Sequence, residues 1–482
     1  MLQALGLLSR IVRERWALRA GPEGIKSRQN DRLKALVKHA KNNSPFYAER
    51  LRDVDPNAFS LQQLPTLTKT TMMEHFDRFL TVRDLKLADL EGFVDKPDNL
   101  GQWYRDQYAL SRTSGTQGLK ALIVQDRAMM ELLFALQIGR GSVFPVSPLS
   151  VIQRLLRRAR FAAVTIGRGF YPSASGLAYQ PAGSDAFMRR LWLKNIDPLD
   201  DAVEQLNRFQ PEVLLAYANV IEILAREELA GRLRLAKSGS LRQLINMSEP
   251  LSDGAKRLAK EAFKLPVTDN YATGECMALS TGCPEGHGMH VQADWVVLEV
   301  VDRDNRPVDA GTPGEKVLVT NLYNDIQPFI RYEVDDVVTM SPTPCPCGSP
   351  LPFIKKVEGR KDEAVWIKAD GGFRQIHPYV FVDVLDERPE VGWYQIIQEE
   401  RNRFKLRASP APRRTVNHEE LQRLLRKGLE RFGLADLVHF DVEISNDVAP
   451  DVMSGKLKRI TSKLGPPNGA RSMEPVPAVA SR

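Results

Sequence analysis

The first hundred residues have the apolar spacing of amphipathic helices. In DRLKALVKHAKNNSPFYAERL, which starts at Asp31, the apolar residues fall on one helical face and the pattern breaks at Ser44-Pro45. The following segment, LPTLTKTTMMEHFDRF, predicts another helix, because hydroxyl residues suited to capping precede it. We expect Thr70 or Thr71 to be the N-cap of this helix. The two segments together predict that the chain begins with helices.

Between residues 199 and 271 the pattern alternates between helix and strand. The helical segments LDDAVEQLNRF, ANVIEILAREELAG and DGAKRLAKEAF separate the short apolar runs VLLAY, RQLIN and VTDNY. Strands and helices at this spacing imply right-handed crossovers. This region is therefore predicted to form a parallel sheet with helices packed on it.

From Trp295 the period shortens, and the runs WVVLEVVD, EKVLVTN and DVVTM predict antiparallel strands. The predicted fold is α/β. Its large N-terminal domain, 1–359, has mainly parallel sheets, helices and a small antiparallel β subdomain. A small C-terminal α+β domain, 360–482, follows, with the helix HEELQRLLRKGLERFG and a Pro-, Ala- and Ser-rich tail that is expected to be disordered from about residue 466.

Composition narrows the class of protein. With 482 residues, 43% hydrophobic and 26% charged, the chain is an ordinary globular protein of at least two domains. It has neither an apolar run long enough to span a bilayer nor a secretion signal, and four cysteines are too few for a disulfide framework. We therefore expect a cytoplasmic protein. The net charge of +7 suits an anionic small molecule and does not require nucleic acid.

The N-terminal helix, MLQALGLLSRIVRERW, is rich in arginine. It could touch a membrane surface, but its apolar face is too short for stable anchoring.

A hydroxyl- and glycine-rich loop at 111–118, SRTSGTQG, is the first candidate for chemistry. Such a loop offers backbone N–H groups and hydroxyls to a polyphosphate without side-chain bulk. The spacing is not that of a P-loop, so a plain turn is the alternative. The candidate phosphate-binding residues are Thr113, Ser114, Gly115, Thr116 and Gly118.

Two acidic residues follow strands of the predicted parallel sheet, Glu249 in NMSEP and Glu275 in YATGE. Ligands of open α/β sheets bind beyond the carboxyl ends of the strands, so both carboxylates could face one crevice. A carboxylate beside bound phosphates is a suitable ligand for Mg²⁺. Each residue taken alone could instead be a capping or surface acid.

The order of several motifs carries more information than any one of them. Five motifs, in the order in which they occur, resemble those of the adenylate-forming superfamily of acyl-CoA synthetases and adenylation domains. They are TSGTQG, YATGE, IRYEVDD, GRKDE and SGKLKR. Four segments are similar to the phenylacetate–CoA ligase branch of this superfamily, namely SPFYAERL, LPTLTK, MHVQADW and CPCGSPLPFIKKVEGRKDE. The resemblance extends from about residue 30 to about residue 460.

This resemblance implies ATP-dependent activation of an aryl or related carboxylic acid to an acyl-adenylate, with release of pyrophosphate and transfer to coenzyme A. The implied cofactors are ATP, Mg²⁺ and coenzyme A. The 113–118 loop would hold the β- and γ-phosphates, Glu275 would coordinate Mg²⁺, and Asp336 would bind the ribose hydroxyls. Glu249 and Tyr271 complete the nucleotide-binding set on this side.

The resemblance also assigns basic residues. Arg331 and Arg360 would lie near the nucleotide, and Lys456 would reach from the small domain towards the α-phosphate and the substrate carboxylate. Lys458 competes for that role, but Lys456 directly follows the glycine of its motif. The resemblance also implies that the small C-terminal domain is mobile, with Asp362 at its hinge.

The cysteines suggest a metal site. Cys345-Pro-Cys347 can present two thiolates to one ion, and CPEGHGMH adds Cys283 with two candidate imidazoles, of His287 and His290. Together they could form a tetrahedral Cys₃His zinc site, whereas free core thiols are the alternative. Some phenylacetate–CoA ligase-like proteins carry a comparable set with zinc. We choose His290, which opens the HVQADW segment, and expect a structural site.

Three functions stay open at this stage. The acyl acceptor could be coenzyme A, or it could be an amine or a carrier-protein thiol. A catalytically inactive nucleotide-binding protein is the third option, although the charged residues that the chemistry needs are present. The expected partners are small molecules, and a homodimer is left open.

Overall fold

The computed structural model describes the residues that form the elements below. They are 2–113, 119–141, 157–167, 169–195, 197–360, 365–369, 372–376, 381, 385, 390–411, 414–430, 432–448, 457, 459–464 and 467, without the side chains of Arg360 and Gln375. The tail predicted to be disordered lies outside this range, apart from residue 467. No helix within the described ranges is both long and apolar enough to cross a membrane.

These residues fall into two compact units. The first takes its residues from Met1–Glu249, Ala259–Val334 and Val338–Val357, and the second from Pro250–Leu258, Asp335–Val337 and Glu358–Arg482.

Helices occur throughout the first 263 residues. They are α1 Leu2–Ala17, α2 Gly21–Asn43, α3 Pro45–Arg50, α4 Lys69–Glu74, α5 Phe76–Phe79, α6 Leu87–Val94, α7 Arg127–Gly141, α8 Pro172–Ala178, α9 Leu199–Phe209, α10 Ala218–Leu229, α11 Leu235–Ser238 and α12 Asp253–Phe263. The predicted break after Asn43 is confirmed, because Ser44 ends α2 and accepts a hydrogen bond from the backbone N–H of Tyr47 to cap α3.

The predicted cap of α4 is wrong by two or three residues. Thr68, and not Thr70 or Thr71, is the N-cap, and its hydroxyl oxygen accepts a hydrogen bond from the backbone N–H of Thr71. Thr68 has the extended backbone that an N-cap requires, whereas Thr70 and Thr71 lie inside the helix.

The predicted parallel sheet is confirmed. Its strand order is β4-β3-β5-β6-β7, and all its pairs are parallel. The strands are β3 Ala159–Thr165, β4 Met188–Lys194, β5 Val213–Ala216, β6 Gln243–Met247 and β7 Val267–Asn270. Helix α9 precedes β5 in sequence, α10 lies between β5 and β6, and α12 lies between β6 and β7, as crossovers between parallel strands require.

Antiparallel strands complete the first unit. The hairpin of β1 Tyr108–Arg112 and β2 Leu122–Asp126 encloses the predicted phosphate loop. The three-stranded sheet β10-β11-β12 consists of Val296–Val301, Lys316–Asn321 and Tyr332–Val334, and the sheet β13-β14-β9-β8 consists of Asp336–Met340, Phe353–Arg360, Met289–Val291 and Ser280–Gly282. The predicted antiparallel region from Trp295 is therefore confirmed, although its three runs divide between two sheets.

The second unit has its own small core. Strands β17 Val391–Glu400 and β18 Arg403–Pro410 pair antiparallel, while β19 His439–Ile444 and β20 Ile460–Ser462 join them in parallel. Helix α13, His418–Glu430, packs Leu421, Leu425 and Leu429 into a cluster with Phe404. The strands β15 Val365–Ala369 and β16 Gly372–Ile376 form a separate hairpin.

Candidate active site and metal centre

The strand order of the parallel sheet reverses between β3 and β5. Strand β4 lies on one side of β3, and β5, β6 and β7 follow on the other side. Ligands of open α/β sheets bind beyond the carboxyl ends of the strands at such a point. Here Tyr217 follows β5, and its hydroxyl accepts a hydrogen bond from the backbone N–H of Ile166 and lies 2.8 Å from the hydroxyl of Ser173.

Asn219, in the first turn of α10, is a residue that the sequence did not single out. It is 2% exposed, and among the described residues neither amide atom of its side chain has a hydrogen-bond partner. A buried amide without a partner is costly, and in native proteins such a group calls for a functional explanation. No sequence pattern distinguishes Asn219, since an asparagine near a helix start is ordinary.

Glu249 lies next to this point, as predicted from its position after β6. One of its carboxylate oxygens, Oε2, accepts a hydrogen bond from the backbone N–H of Asn219, and its carbonyl oxygen accepts one from the side chain of Asn246. The preceding residue, Ser248, has a φ of 67°. Left-handed backbone at a residue other than glycine is strained and occurs often at functional sites.

Glu275 and the IRYE segment meet in the structure. The hydroxyl of Tyr332 donates a 2.7 Å hydrogen bond to Oε1 of Glu275, and the side chain of Asn321 donates one to the carbonyl oxygen of Glu275. The carboxylate is buried. Sequence reasoning missed Tyr332 and Asn321, because hydrogen bonds between segments more than 40 residues apart leave no local pattern.

Tyr271, at the start of the same motif, is fixed through its backbone. Its N–H donates to the hydroxyl oxygen of Ser280, and the Ser280 hydroxyl donates to the carbonyl oxygen of Tyr271.

The stem of the phosphate loop packs against the YATGE motif. The backbone N–H of Thr113 donates to the carbonyl oxygen of Ala121, and the N–H of Ala121 donates to the hydroxyl oxygen of Thr113, which closes the loop. A Cβ at Gly274 would lie 2.8 Å from a methyl carbon of Thr113. Glycine is therefore needed where these two motifs approach each other.

Arg331 is held in a buried ion pair. Its Nε and Nη2 donate to the two carboxylate oxygens of Glu299, each at 3.0 Å, and its Nη1 donates to the carbonyl oxygen of Leu64. The bidentate pair and the bond to Leu64 together use all three guanidinium nitrogens. In this structure Arg331 therefore ties β10 to the segment before α4, and its φ is 48°.

Several predicted residues are not placed beside the others. Asp336 is half-buried at the start of β13 and is grouped with the second unit, and Arg360 ends β14. The remaining predicted residues lie outside the described ranges, namely Ser114, Gly115, Thr116, Gly118, Asp362 and Lys456.

The four predicted metal ligands come together in the first unit. Cys283 directly follows β8, His290 is the central residue of β9, and Cys345 and Cys347 lie in the turn between β13 and β14. Because the sheet order is β13-β14-β9-β8, these segments are neighbours. The backbone of Gly288 is so close to β14 that a Cβ there would lie 2.5 Å from the carbonyl oxygen of Ile354.

The ligand atoms have the spacing of a tetrahedral site. All four lie within 4.8 Å of one another. The sulfurs of Cys283 and Cys345 are 3.7 Å apart, and the sulfur of Cys347 is 3.4 Å from Nε2 of His290. Tetrahedral zinc bound at ordinary lengths separates two sulfurs by about 3.8 Å and a sulfur from a nitrogen by about 3.6 Å. The donor set and its dimensions therefore fit zinc.

Burial sets the protonation states of these groups. Burial and the neighbouring charge of His287 lower the pKa of His290 to about 4, which keeps the imidazole neutral and able to ligate. Burial also raises the pKa of Cys345 to about 12 and raises that of Cys347. A cation is needed to stabilise the thiolates, so binding would release protons. His287 is on the surface and pairs with Glu285.

Comparison with known proteins gives relatives but no family profile that matches the chain. The phenylacetate–coenzyme A ligase of Thermus thermophilus is 24% identical over 389 residues, 78% of each chain. Protein CapK of Staphylococcus aureus is 21% identical over 321 residues, 65% of this chain and 62% of that protein.

Among solved structures, a 2-hydroxyisobutyryl-CoA ligase in its postadenylation state matches with a TM-score of 0.67 at 19% identity. The match covers 91% of this chain and 89% of that chain, so the two share a fold. The predicted resemblance to phenylacetate–CoA ligases is thus confirmed at the level of sequence similarity and shared fold.

Proposed function

We propose that this chain is an AMP-forming ligase that activates a carboxylic acid and then transfers the acyl group to coenzyme A. The similarity to a phenylacetate–coenzyme A ligase over 78% of the chain supports this function. The structural observation that carries it is the hydrogen bond between Tyr332 and Glu275, which joins two of the superfamily-like motifs near the carboxyl ends of the parallel strands.

The reaction proceeds in two displacements. A carboxylate oxygen of the acid attacks the α-phosphorus of ATP, and the bond to the bridging oxygen breaks, so that pyrophosphate leaves. The thiolate of coenzyme A then attacks the acyl carbon of the mixed anhydride, and AMP leaves. No oxidant or reductant is needed, and the protein contributes orientation and neutralisation of negative charge.

Residues of the first unit would orient the triphosphate. Thr113 closes the loop whose backbone N–H groups would hold the β- and γ-phosphates. The carboxylate of Glu275 would hold Mg²⁺, which supplies charge neutralisation at the phosphates. The carboxylate is buried, and its hydrogen bond from Tyr332 fixes its direction. Glu249 and Tyr271 would line the nucleotide side of the crevice.

Residues from Arg331 onward would complete the site. Asp336 would accept hydrogen bonds from the ribose hydroxyls, and Arg331 and Arg360 would lie near the nucleotide. Lys456 would approach the α-phosphate from the small domain, 360–482, and this domain would act as a lid on the large domain, 1–359. A lysine suits this place because its charge acts where negative charge develops in the transition state.

The acid would bind beyond the carboxyl ends of β3 and β5, where the strand order of the parallel sheet reverses. Tyr217, Ser173 and Asn219 lie there, and burial raises the pKa of Tyr217 to about 12, so its hydroxyl stays neutral. A crevice with neutral hydroxyl and amide groups suits an aryl or related acid that carries a polar substituent.

The Cys₃His group would hold one structural zinc ion. Four protein ligands leave no open position for a substrate, so the ion would stabilise the fold and take no part in catalysis. It would tie the turn before β14 to strands β8 and β9.

Pyrophosphate release measured over a panel of carboxylic acids, with and without coenzyme A, tests this function. Acid-dependent release in the presence of ATP and Mg²⁺ is expected, and a thioester should form only when coenzyme A is present. If pyrophosphate is released but the acyl group is transferred only to added amines or carrier protein, the acceptor is one of these and not coenzyme A. No acid-dependent release across a broad panel would contradict the ligase function.

A further inference from the structure

The N-terminal helix α1 has two different faces, and one of them is used within the fold. Leu7, Leu8 and Ile11 pack with Ala135 and Phe187 in a buried cluster. The cluster fixes α1 along α7, so the direction in which its other face points is set by the fold.

Polar contacts reinforce this attachment. Arg140, on α7, donates hydrogen bonds to both the carbonyl oxygen and the carboxylate of Glu14, and it pairs with both carboxylate oxygens of Asp294. The indole N–H of Trp295 also donates to the Glu14 carboxylate. Because these charged groups are buried and paired, α1 is a rigid part of the first unit.

The outward face of α1 carries large apolar side chains. Among the residues that the structure describes, five large apolar side chains are exposed, and three of these are on α1. They are Leu2 at 85%, Leu5 at 49% and Trp16 at 53% exposure. Residues 2, 5, 9, 13 and 16 are spaced by three or four positions, so they form one stripe along the helix.

The charges around this stripe are positive. Arg13 lies within the stripe with its side chain 71% exposed, and the guanidinium of Arg19 lies 5.0 Å from the ring of Trp16. The only acidic residue of α1, Glu14, is buried and paired. Of the neighbouring acids, Glu131 pairs with Arg10 and Asp185 pairs with Arg190.

From this face we infer that α1 binds the surface of a bilayer that contains anionic lipid. Exposed leucines and a tryptophan beside arginines are the residue types that lie at the boundary between headgroups and acyl chains. Sixteen residues make a helix of about 24 Å, too short to span, so the helix would lie flat on the surface. Three apolar side chains give weak binding alone, so negative lipid headgroups are needed as a second source of attraction.

A second copy of the chain is the less favourable occupant. A symmetric dimer through this stripe would place Arg13 and Arg19 of one copy near the same residues of the other, since each such interface uses the same patch twice. Like charges facing each other oppose such an association.

Vesicle co-sedimentation tests the inference. The full chain is mixed with vesicles of phosphatidylcholine alone or with about one third phosphatidylglycerol, at low and at high salt. We expect the bound fraction to rise at least about tenfold with the anionic lipid and to fall with salt. Substitution of Leu2, Leu5 and Trp16 together by Ala should abolish binding, and Arg13→Glu with Arg19→Glu should reduce it at least about tenfold.

Leu229→Ala is the matched control, because Leu229 is 48% exposed but lies at the end of α10. It should bind vesicles as the unchanged chain does, and circular dichroism should show that all variants are folded. The inference is overturned if anionic vesicles do not bind the chain, or if the triple variant binds equally well. A dimer that the triple variant loses, with no vesicle binding, would assign the face to a second copy.

Discussion

The hydroxyl of Tyr332 and the carboxylate of Glu275 are 2.7 Å apart, although 57 residues separate them in sequence. Tyr332 begins β12, and Glu275 belongs to the loop between β7 and β8. A hydrogen bond between two buried groups fixes the direction of the carboxylate. In the proposed function Glu275 would hold Mg²⁺, and Tyr332 would then be the partner that orients this metal ligand.

Tyr332→Phe should therefore weaken the response to Mg²⁺ while leaving the fold intact. Loss of a group that orients a metal ligand typically costs about tenfold or more in metal affinity or activity. The measurement is the Mg²⁺ concentration that gives half-maximal pyrophosphate release, which we expect to rise by about this factor.

Tyr323→Phe is the control for this change. Tyr323 is also buried, and its hydroxyl contacts Cys276 and the backbone N–H of Ala278 rather than the Glu275 carboxylate. It should lose stability without a change in the Mg²⁺ response. Equal Mg²⁺ responses in both variants would show that the Tyr332 hydroxyl does not orient a metal ligand.

Arg331→Met should destabilise the protein strongly. The side chains of Arg331 and Glu299 are only 5% and 7% exposed, so removing one leaves a buried charge without its partner. Breaking such a pair costs about 3–5 kcal/mol, whereas replacing both partners by apolar residues costs much less. Urea unfolding should therefore show a larger loss for Arg331→Met than for the double variant Arg331→Met/Glu299→Leu.

The same double variant tests the predicted role of Arg331 near the nucleotide. If Arg331 contributes to ATP binding as well as to the fold, the double variant will recover stability but not ATP affinity. Full recovery of both would restrict Arg331 to the ion pair.

Helices and strands, whose hydrophobic residues repeat at a short period along the sequence, were predicted well. Three strands of the parallel sheet followed from alternating strands and helices at 199–271, and these elements lie within a few residues of their predicted ends, whereas β3 and β4 were not predicted. The convergence of Cys283, His290, Cys345 and Cys347 followed from ligand types that few other roles require, even though the segments are distant in sequence.

Pairings between distant polar residues could not be predicted. Nothing in the sequence links Arg331 to Glu299 or Glu275 to Tyr332, because many carboxylates and hydroxyls are equivalent candidates before the chain folds. The cap of α4 shows the same limit at short range. Thr68, Thr70 and Thr71 all offer a hydroxyl, and the backbone conformation selects Thr68.

Lys456→Ala should reduce acyl-adenylate formation severely and leave ATP binding largely intact. Its charge is useful mainly where negative charge develops at the α-phosphate, so the loss should appear in the rate of adenylation rather than in binding. Single-turnover pyrophosphate release and ATP titration measure the two effects. Lys458→Ala is the control, and a larger loss of adenylation in that variant would reassign the role.

One zinc ion per chain is expected in protein purified without added metal. The double variant Cys345→Ser/Cys347→Ser should lose the metal, since it removes two of four ligands that lie within 4.8 Å of one another. Elemental analysis measures the metal content, and thermal unfolding with a strong chelator measures the stability that the ion contributes.

Two variants control the zinc measurement. Cys276→Ser changes a buried thiol that is not part of the group, and His287→Asn changes the imidazole that lies on the surface. Both should keep the metal, whereas His290→Asn should not. Protein without stoichiometric metal after purification under reducing conditions without chelator would leave the three cysteines as ordinary core thiols.

Asn219→Leu should reduce activity with certain acids but should keep or raise the stability of the protein. Both amide atoms of Asn219 lack a partner among the described residues, so replacing them by methyl groups of similar volume should keep or raise the free energy of unfolding. An acid whose substituent hydrogen-bonds to this amide should lose about tenfold or more in kcat/KM, and an unsubstituted aryl acid should lose little. Urea unfolding and kcat/KM for such a pair of acids measure the two effects. An unchanged ratio between the two acids, in a variant that still releases pyrophosphate, would remove Asn219 from acid recognition without affecting the ligase function.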